Sequence, residues 1–365
     1  MSRLSWRWAV VVAVAGVLAA LPSLAAARPA GRSDATAEQL LERVRASQQV
    51  AWSGYGTSRG TLVVPDVREL SDLPGLIGET TRARAWWRGP AQWRVDAVAL
   101  TGEVDTTRDS GGGWTWQSAD RRAVRIVGEL EVRLPGAADL LAPVLGHRLA
   151  GTADVVATLL PARRVAGRST DGLRLVPRHP AATTVRSVDL WVEPVTGLTL
   201  QVEVRTAAAL PSLTATLLDL DLDTPDASLT DFPRPRRATV AVAEAPDIAA
   251  AADRFAPYAL PDELAGLPRR ARSALSAGGG VGTYGDGFTA LALVPLPHDL
   301  GHRLVDRIDA HDDDGIAAIG TPLVNAQVVL ARDERAYLLV GTVPPDRLVT
   351  AGRQLRAVPP PFVRR

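Results

Sequence analysis

With 365 residues, 46% of them hydrophobic and 22% charged, the chain is long enough to bury one large core or two modest ones, and too apolar for wholesale disorder. A formal charge of +1 gives no electrostatic footprint for nucleic acid or another acidic polymer. The absence of Cys removes thiol catalysis, disulfides and thiolate metal sites, and the absence of Lys removes Schiff bases and a phosphate-loop lysine.

Arg3 and Arg7 lead into an apolar run at 9–20 and then a small-residue stretch ending at Ala27. That pattern predicts a signal peptide over 1–27, with an uncleaved anchor as the alternative because the run approaches the about 20 residues that span a bilayer. No Cys follows it, so there is no site for lipid attachment. Either outcome places the mature chain outside the cytoplasmic membrane, in the periplasm or cell-wall space.

Residues 36–49 read as an amphipathic helix with Leu40, Leu41 and Val44 on one stripe. The period then switches to two. Strands are expected at 60–67, 82–88, 93–99, 103–108, 114–117 and 123–127, separated by Gly89-Pro90, the glycines after Ser110, and Asp120-Arg121. Short strands joined by such turns make an antiparallel meander. Two short helices are expected at 137–145 and 150–160, then strands at 164–167 and 173–178. The stretch VDLWVEPVTGLTLQVEVR, 188–205, alternates on both sides of Pro194-Val195-Thr196-Gly197 and reads as a hairpin. A last strand lies at 213–222. These elements form one domain over 34–232.

A Pro- and Arg-containing segment at 233–247 reads as a linker. Beyond it, a helix at 248–255, a strand within 285–296, a helix at 299–310, strands at 324–330 and 336–341, and a helix at 346–355 form a small α/β domain over 248–357. All seven Trp after the leader lie in the first domain.

Few residues suggest chemistry. The glycines from Gly280 to Gly285 match G-x-G-x-x-G, but a strand follows where a dinucleotide site needs a helix, so they read as a flexible connector. His298 and His302 are four apart, yet Pro297 and Gly301 argue against a regular helix, and neither they nor His311 makes a defined metal set. The acidic run from Asp312 reads as a polar turn, and Asp219, Asp221 and Asp223 as a solvated strand face. No catalytic residue, metal or cofactor is expected, and the chain reads as a binding protein rather than an enzyme.

The aromatic strand faces are the candidate site. Trp87, Trp93, Val95, Trp114 and Trp116, with Leu190, Val192, Leu200 and Val202 of the hairpin, make apolar surface that something must cover. Either side chains fill the space, or a cavity suited to acyl chains remains.

The tracts LLERVRASQQVAWSGYGTSRGTL, RARAWWRGPAQWRVD, GGGWTWQSADRRAVRI and LWVEPVTGLTLQVEVR together resemble the half-barrel of LolA-type lipoprotein carriers and of RseB/MucB regulators of envelope-stress sigma factors. The resemblance covers about residues 36–230, and the hairpin is its most specific part. TYGDGFTALALVPLP and AYLLVGTVPPDRLVTAG resemble the extra domain that RseB/MucB proteins carry and LolA carriers lack. The implied fold is α+β, a curled LolA-like antiparallel half-barrel with covering helices plus a small C-terminal α/β domain. The implied function is non-enzymatic regulation. Such a protein binds the outer segment of a membrane anti-sigma factor and responds to lipid or lipoprotein acyl chains. The alternative is a carrier of the LolA type.

Overall fold

The computed structural model describes residues 31–60, 80–99, 102–109, 112–127, 136–232, 238–244, 260–270, 281–308, 316–331 and 335–357. The segments 1–27 and 248–255, Gly280, His311 and the acidic run after it lie outside the described residues, as does most of the strand expected at 60–67. No described helix is long and apolar enough to cross a membrane.

The protein is mostly β, with four α-helices among the described residues. Helix α1 (Ala37–Ala46) opens with a capping box in which Thr36 and Gln39 satisfy each other's backbone amides. Its stripe of Leu40, Leu41 and Val44 is buried, as the periodicity predicts. The first unit continues through β1 (Trp52–Gly60), β2 (Thr80–Gly89), β3 (Gln92–Ala99), β4 (Gly102–Asp109), β5 (Gly112–Gln117) and β6 (Arg122–Val127). Helix α2 (Ala142–Ala150) precedes β7 (Val155–Val165), β8 (Arg168–Pro177), β9 (Ser187–Val192), β10 (Thr199–Arg205), β11 (Leu213–Asp221) and β12 (Thr239–Glu244).

These strands form one sheet in the order β12-β6-β5-β4-β3-β2-β1-β11-β10-β9-β8-β7. Two meanders, β2–β6 and β7–β11, meet at β1, which pairs with β2 on one side and β11 on the other. The sheet does not close into a barrel, since β12 and β7 remain edges. At the β7 end it curls until β7 comes near β11. Helix α1 lies on β7 and β8, helix α2 on β10 and β11, and a 3-10 turn at Ala137–Leu140 on β2 and β3.

Two expectations are corrected. In place of the helices expected at 137–145 and 150–160 there is a 3-10 turn at Ala137–Leu140 and one helix, Ala142–Ala150, and Val155 to Leu160 pair antiparallel with β8. The Ala and Leu in this stretch suit a helix, but the alternating pattern finds a partner strand. The segment 233–247 is not linker throughout, because Thr239–Glu244 adds to β6, the only parallel pair in the sheet among the described residues. Its alternation, TVAVAE, is that of a strand.

The second unit has a small hairpin, β13 (Glu263–Leu264) with β14 (Leu267–Pro268), and an antiparallel sheet of β15 (Gly282–Tyr284), β16 (Leu291–Leu296), β17 (Ile316–Gly320), β18 (Asn325–Leu330) and β19 (Ala336–Gly341), ordered β15-β16-β19-β18-β17. Helices α3 (His298–Arg307) and α4 (Pro345–Ala357) cover its opposite faces. Val329, Tyr337 and Leu339 pack with α4, while Val328, Leu330 and Leu338 pack with α3. Alternate residues of the same strands thus serve two cores.

The units are stitched together through backbone carbonyls. Thr184 N–H donates to Thr342 O at 2.8 Å, the Thr183 hydroxyl to Phe288 O at 2.7 Å and the Thr184 hydroxyl to Leu323 O at 2.6 Å. Phe288 and Leu323 themselves join the first unit's core.

Candidate functional site

Cross-strand register decides which aromatic side chains meet. Trp52 of β1 stands opposite Trp87 of β2, which stands opposite Trp93 of β3, which stands opposite Arg108 of β4. The four residues make one row on the helix-covered face. Their rings lie nearly parallel, at 6.4 Å and 16° for Trp52 and Trp87 and at 5.8 Å and 10° for Trp87 and Trp93. The turn at Gly89-Pro90 sets up the second contact; Gly89 has φ +152°, a conformation that disfavours a side chain. The Trp87 indole N–H donates to Gln48 O at 3.2 Å, fixing its ring under the end of α1.

Above the row stand Pro143, Val144, His147 and Arg148 of α2 and Ala138 and Asp139 of the 3-10 turn, with Leu198 at one wall. A cavity of about 320 Å³ lies between. Its floor is aromatic and its rim polar. Asp139 is buried, accepts from Gly136 N–H at 2.8 Å and pairs with Arg148 at 2.7 Å. The cavity's lining is polar and apolar in about equal measure, and the cavity opens to solvent.

Of the candidate residues, Trp87 and Trp93 lie in this row and border the space above it. Val95 is one pair further along the same face and buried at 1% exposure. Leu190 and Val202 face each other across β9 and β10, Val192 opposes Thr199, and Leu200 sits beside them; all four are fully buried. The hairpin's inner face is therefore sealed under α2. Gly146 lies so close that a Cβ there would be 2.4 Å from Thr199 Oγ1.

Trp114 and Trp116 share a face with each other but not with the row. Trp114 pairs with Thr107, Thr107 with Arg94, and Arg94 with Trp86, which places these residues on the opposite face of the sheet. There Phe232 stacks on Trp114 at 4.6 Å, and Arg94 lies 5.5 Å above Trp86. Arg94 also pairs with Asp96 at 2.6 Å and Asp105 at 3.1 Å. The carboxylates of Asp96, Glu103 and Asp105 lie within 4.8 Å of one another. Burial, with Asp96 and then Glu103 nearby, pushes the Asp105 carboxyl up to about 6, and Arg94 offsets only part of this. With Arg94 supplying the positive charge, the cluster is an ion-paired patch.

Trp52, Arg108 and the α2 residues were not anticipated. Trp52 has a signal in the sequence: it begins the alternation Trp52, Gly54, Gly56, Ser58, a strand face of small residues with one large ring. At Gly56 a Cβ would lie 3.1 Å from Leu217 and 3.5 Å from Leu141, so the small residue lets the covering segment approach.

No protein-family model matches the chain, and no curated protein does. Among solved structures it is similar to the crystal structure of MucB, at 18% identity and TM-score 0.48, over 87% of this chain and 96% of that one. The MucA/MucB complex of Pseudomonas aeruginosa matches at 16% identity and TM-score 0.49, over 87% and 96%. A LolA superfamily protein of Nitrosomonas europaea matches at 13% identity and TM-score 0.26, over 54% and 98%.

Proposed function

We propose that this chain is an extracytoplasmic, non-enzymatic regulator that binds the outer segment of a membrane anti-sigma factor. In this reading it responds to a lipid or lipoprotein acyl chain held over Trp52, Trp87 and Trp93. The observation that carries the reading is the cavity itself: the inner face is sealed over β9 and β10, but space remains over the tryptophan row. A volume of about 320 Å³ lies at the small end of ligand sites, suited to a stretch of one chain. Sequence tracts from both units support the regulator over the carrier, since the resemblance gives LolA carriers the first unit alone. The stitch through Thr183 and Thr184 couples the second unit to the first.

The test is a pull-down from detergent-solubilised membranes with the mature chain and with Val144→Phe, which fills the cavity. The wild type should recover a membrane anti-sigma factor and release it when a fatty acid is added. Val144→Phe should recover the same protein and not release it. Recovery of lipid with no membrane protein would overturn this reading in favour of the carrier.

A further inference from the structure

His298 and His302 lie on an intact helix, contrary to the expectation drawn from Pro297 and Gly301. Pro297 occupies the N-cap of α3, before the first helical residue. Gly301 is buried against the sheet, where a Cβ would come within 2.4 Å of the Ala336 Cβ, so glycine lets the helix lie close on β19. Val305 is buried and Leu304 packs against the same core. That packing fixes the rotation of the helix and leaves the two histidines, four residues apart, exposed side by side on its outer face. Their Nε2 atoms are 3.0 Å apart, and the rings meet edge to face with centroids 4.4 Å apart.

We propose that His298 and His302 form a two-imidazole site for a divalent transition-metal cation of the copper(II) or nickel(II) class. Imidazole nitrogen binds such ions at about 2.0–2.1 Å. Two bonds of that length to nitrogens 3.0 Å apart meet at about 90°. A right angle suits the tetragonal geometry of copper(II) and nickel(II) rather than the wider tetrahedral angle of zinc, and imidazole is a ligand type these ions accept. The outward face leaves the remaining coordination positions to water. Asp299 Oδ1 lies 3.7 Å from His298 Nδ1, on the side where a carboxylate orients a ligating ring. Without a cation, a hydrogen bond between the two Nε2 atoms accounts for their separation. On binding, the cation takes the place of that hydrogen and the donor ring carries its proton on Nδ1 instead, so two neutral imidazoles face the ion.

The test uses the tag-free mature chain titrated with copper(II) sulfate in a non-coordinating buffer, followed by electron paramagnetic resonance. The wild type should bind one equivalent, with hyperfine splitting from two equivalent nitrogens, and nickel(II) chloride should compete. His302→Gln should fold with an unchanged circular dichroism spectrum, show one nitrogen, and bind at least about tenfold more weakly. His179→Gln, remote in sequence and on another element, should behave as wild type. Absence of binding up to about 1 mM copper(II), an affinity too weak for a built site, would overturn the proposal. So would a two-nitrogen spectrum that survives both His298→Gln and His302→Gln.

Discussion

The two halves of the inner sheet face lie under the same helix and end differently. Over β10, α2 approaches until Gly146 has no room for a methyl group beside Thr199. Earlier in the same helix, Pro143 and Val144 stand over indole rings and a cavity remains. Paired aliphatic residues such as Leu190 and Val202 interdigitate with what covers them. Near-parallel tryptophan slabs present a flat, bulky surface and hold the helix off it. A cavity here needs no missing residue; it follows from the shape of the wall.

The largest expected effect tests this contrast directly. Leu190→Ala, at a site with 0% exposure, should cost about 2–5 kcal/mol by urea denaturation. Trp93→Ala removes more atoms from a half-buried site that already borders empty space, and should cost about 1–2 kcal/mol. Equal losses would mean the two halves are packed alike. Next comes Gly146→Ala. The helix preference of Ala favours it by about 1 kcal/mol, but overpacking against Thr199 costs about 1–3 kcal/mol, so a net loss is expected and a gain in melting temperature would refute the close approach. The smallest effect concerns the opposite face. The raised Asp105 carboxyl means the folded state holds a proton that the unfolded chain releases near pH 4. The associated stability is therefore fully present below about pH 4 and is lost as pH rises through about 6. Asp105→Asn should flatten that dependence and raise the melting temperature by a few degrees at pH 7.5.

Much of the architecture was legible because alternation survives in the sequence. The hairpin at 188–205, the strands flanking Gly89-Pro90 and the three helices with clear apolar stripes all form where their patterns place them. What was not legible depends on pairing. Trp114 and Trp116 resemble Trp87 and Trp93 in type, but their face is set by register carried through β4, whose Thr-rich sequence gives little sign of which side is inward. Residues 155–160 have helix-compatible composition and become strand because β8 is beside them. Trp87 and Trp93 could be named from alternation, whereas Pro143, Val144 and His147 above them required the tertiary structure.

The position of β1 has a kinetic consequence. It joins two meanders, yet its partner β11 is made about 160 residues later, with Gly60 opposite Leu213 and Ser53 opposite Asp221. Each meander can zip from local turns, but the junction must wait for nearly the whole first unit to emerge, and the entropy of closing so long a loop makes it the late step of assembly. Trp52 sits on that strand, so one end of the tryptophan row borders this late junction. An arrested chain would display a bare β1 edge to whatever else is folding in the same space.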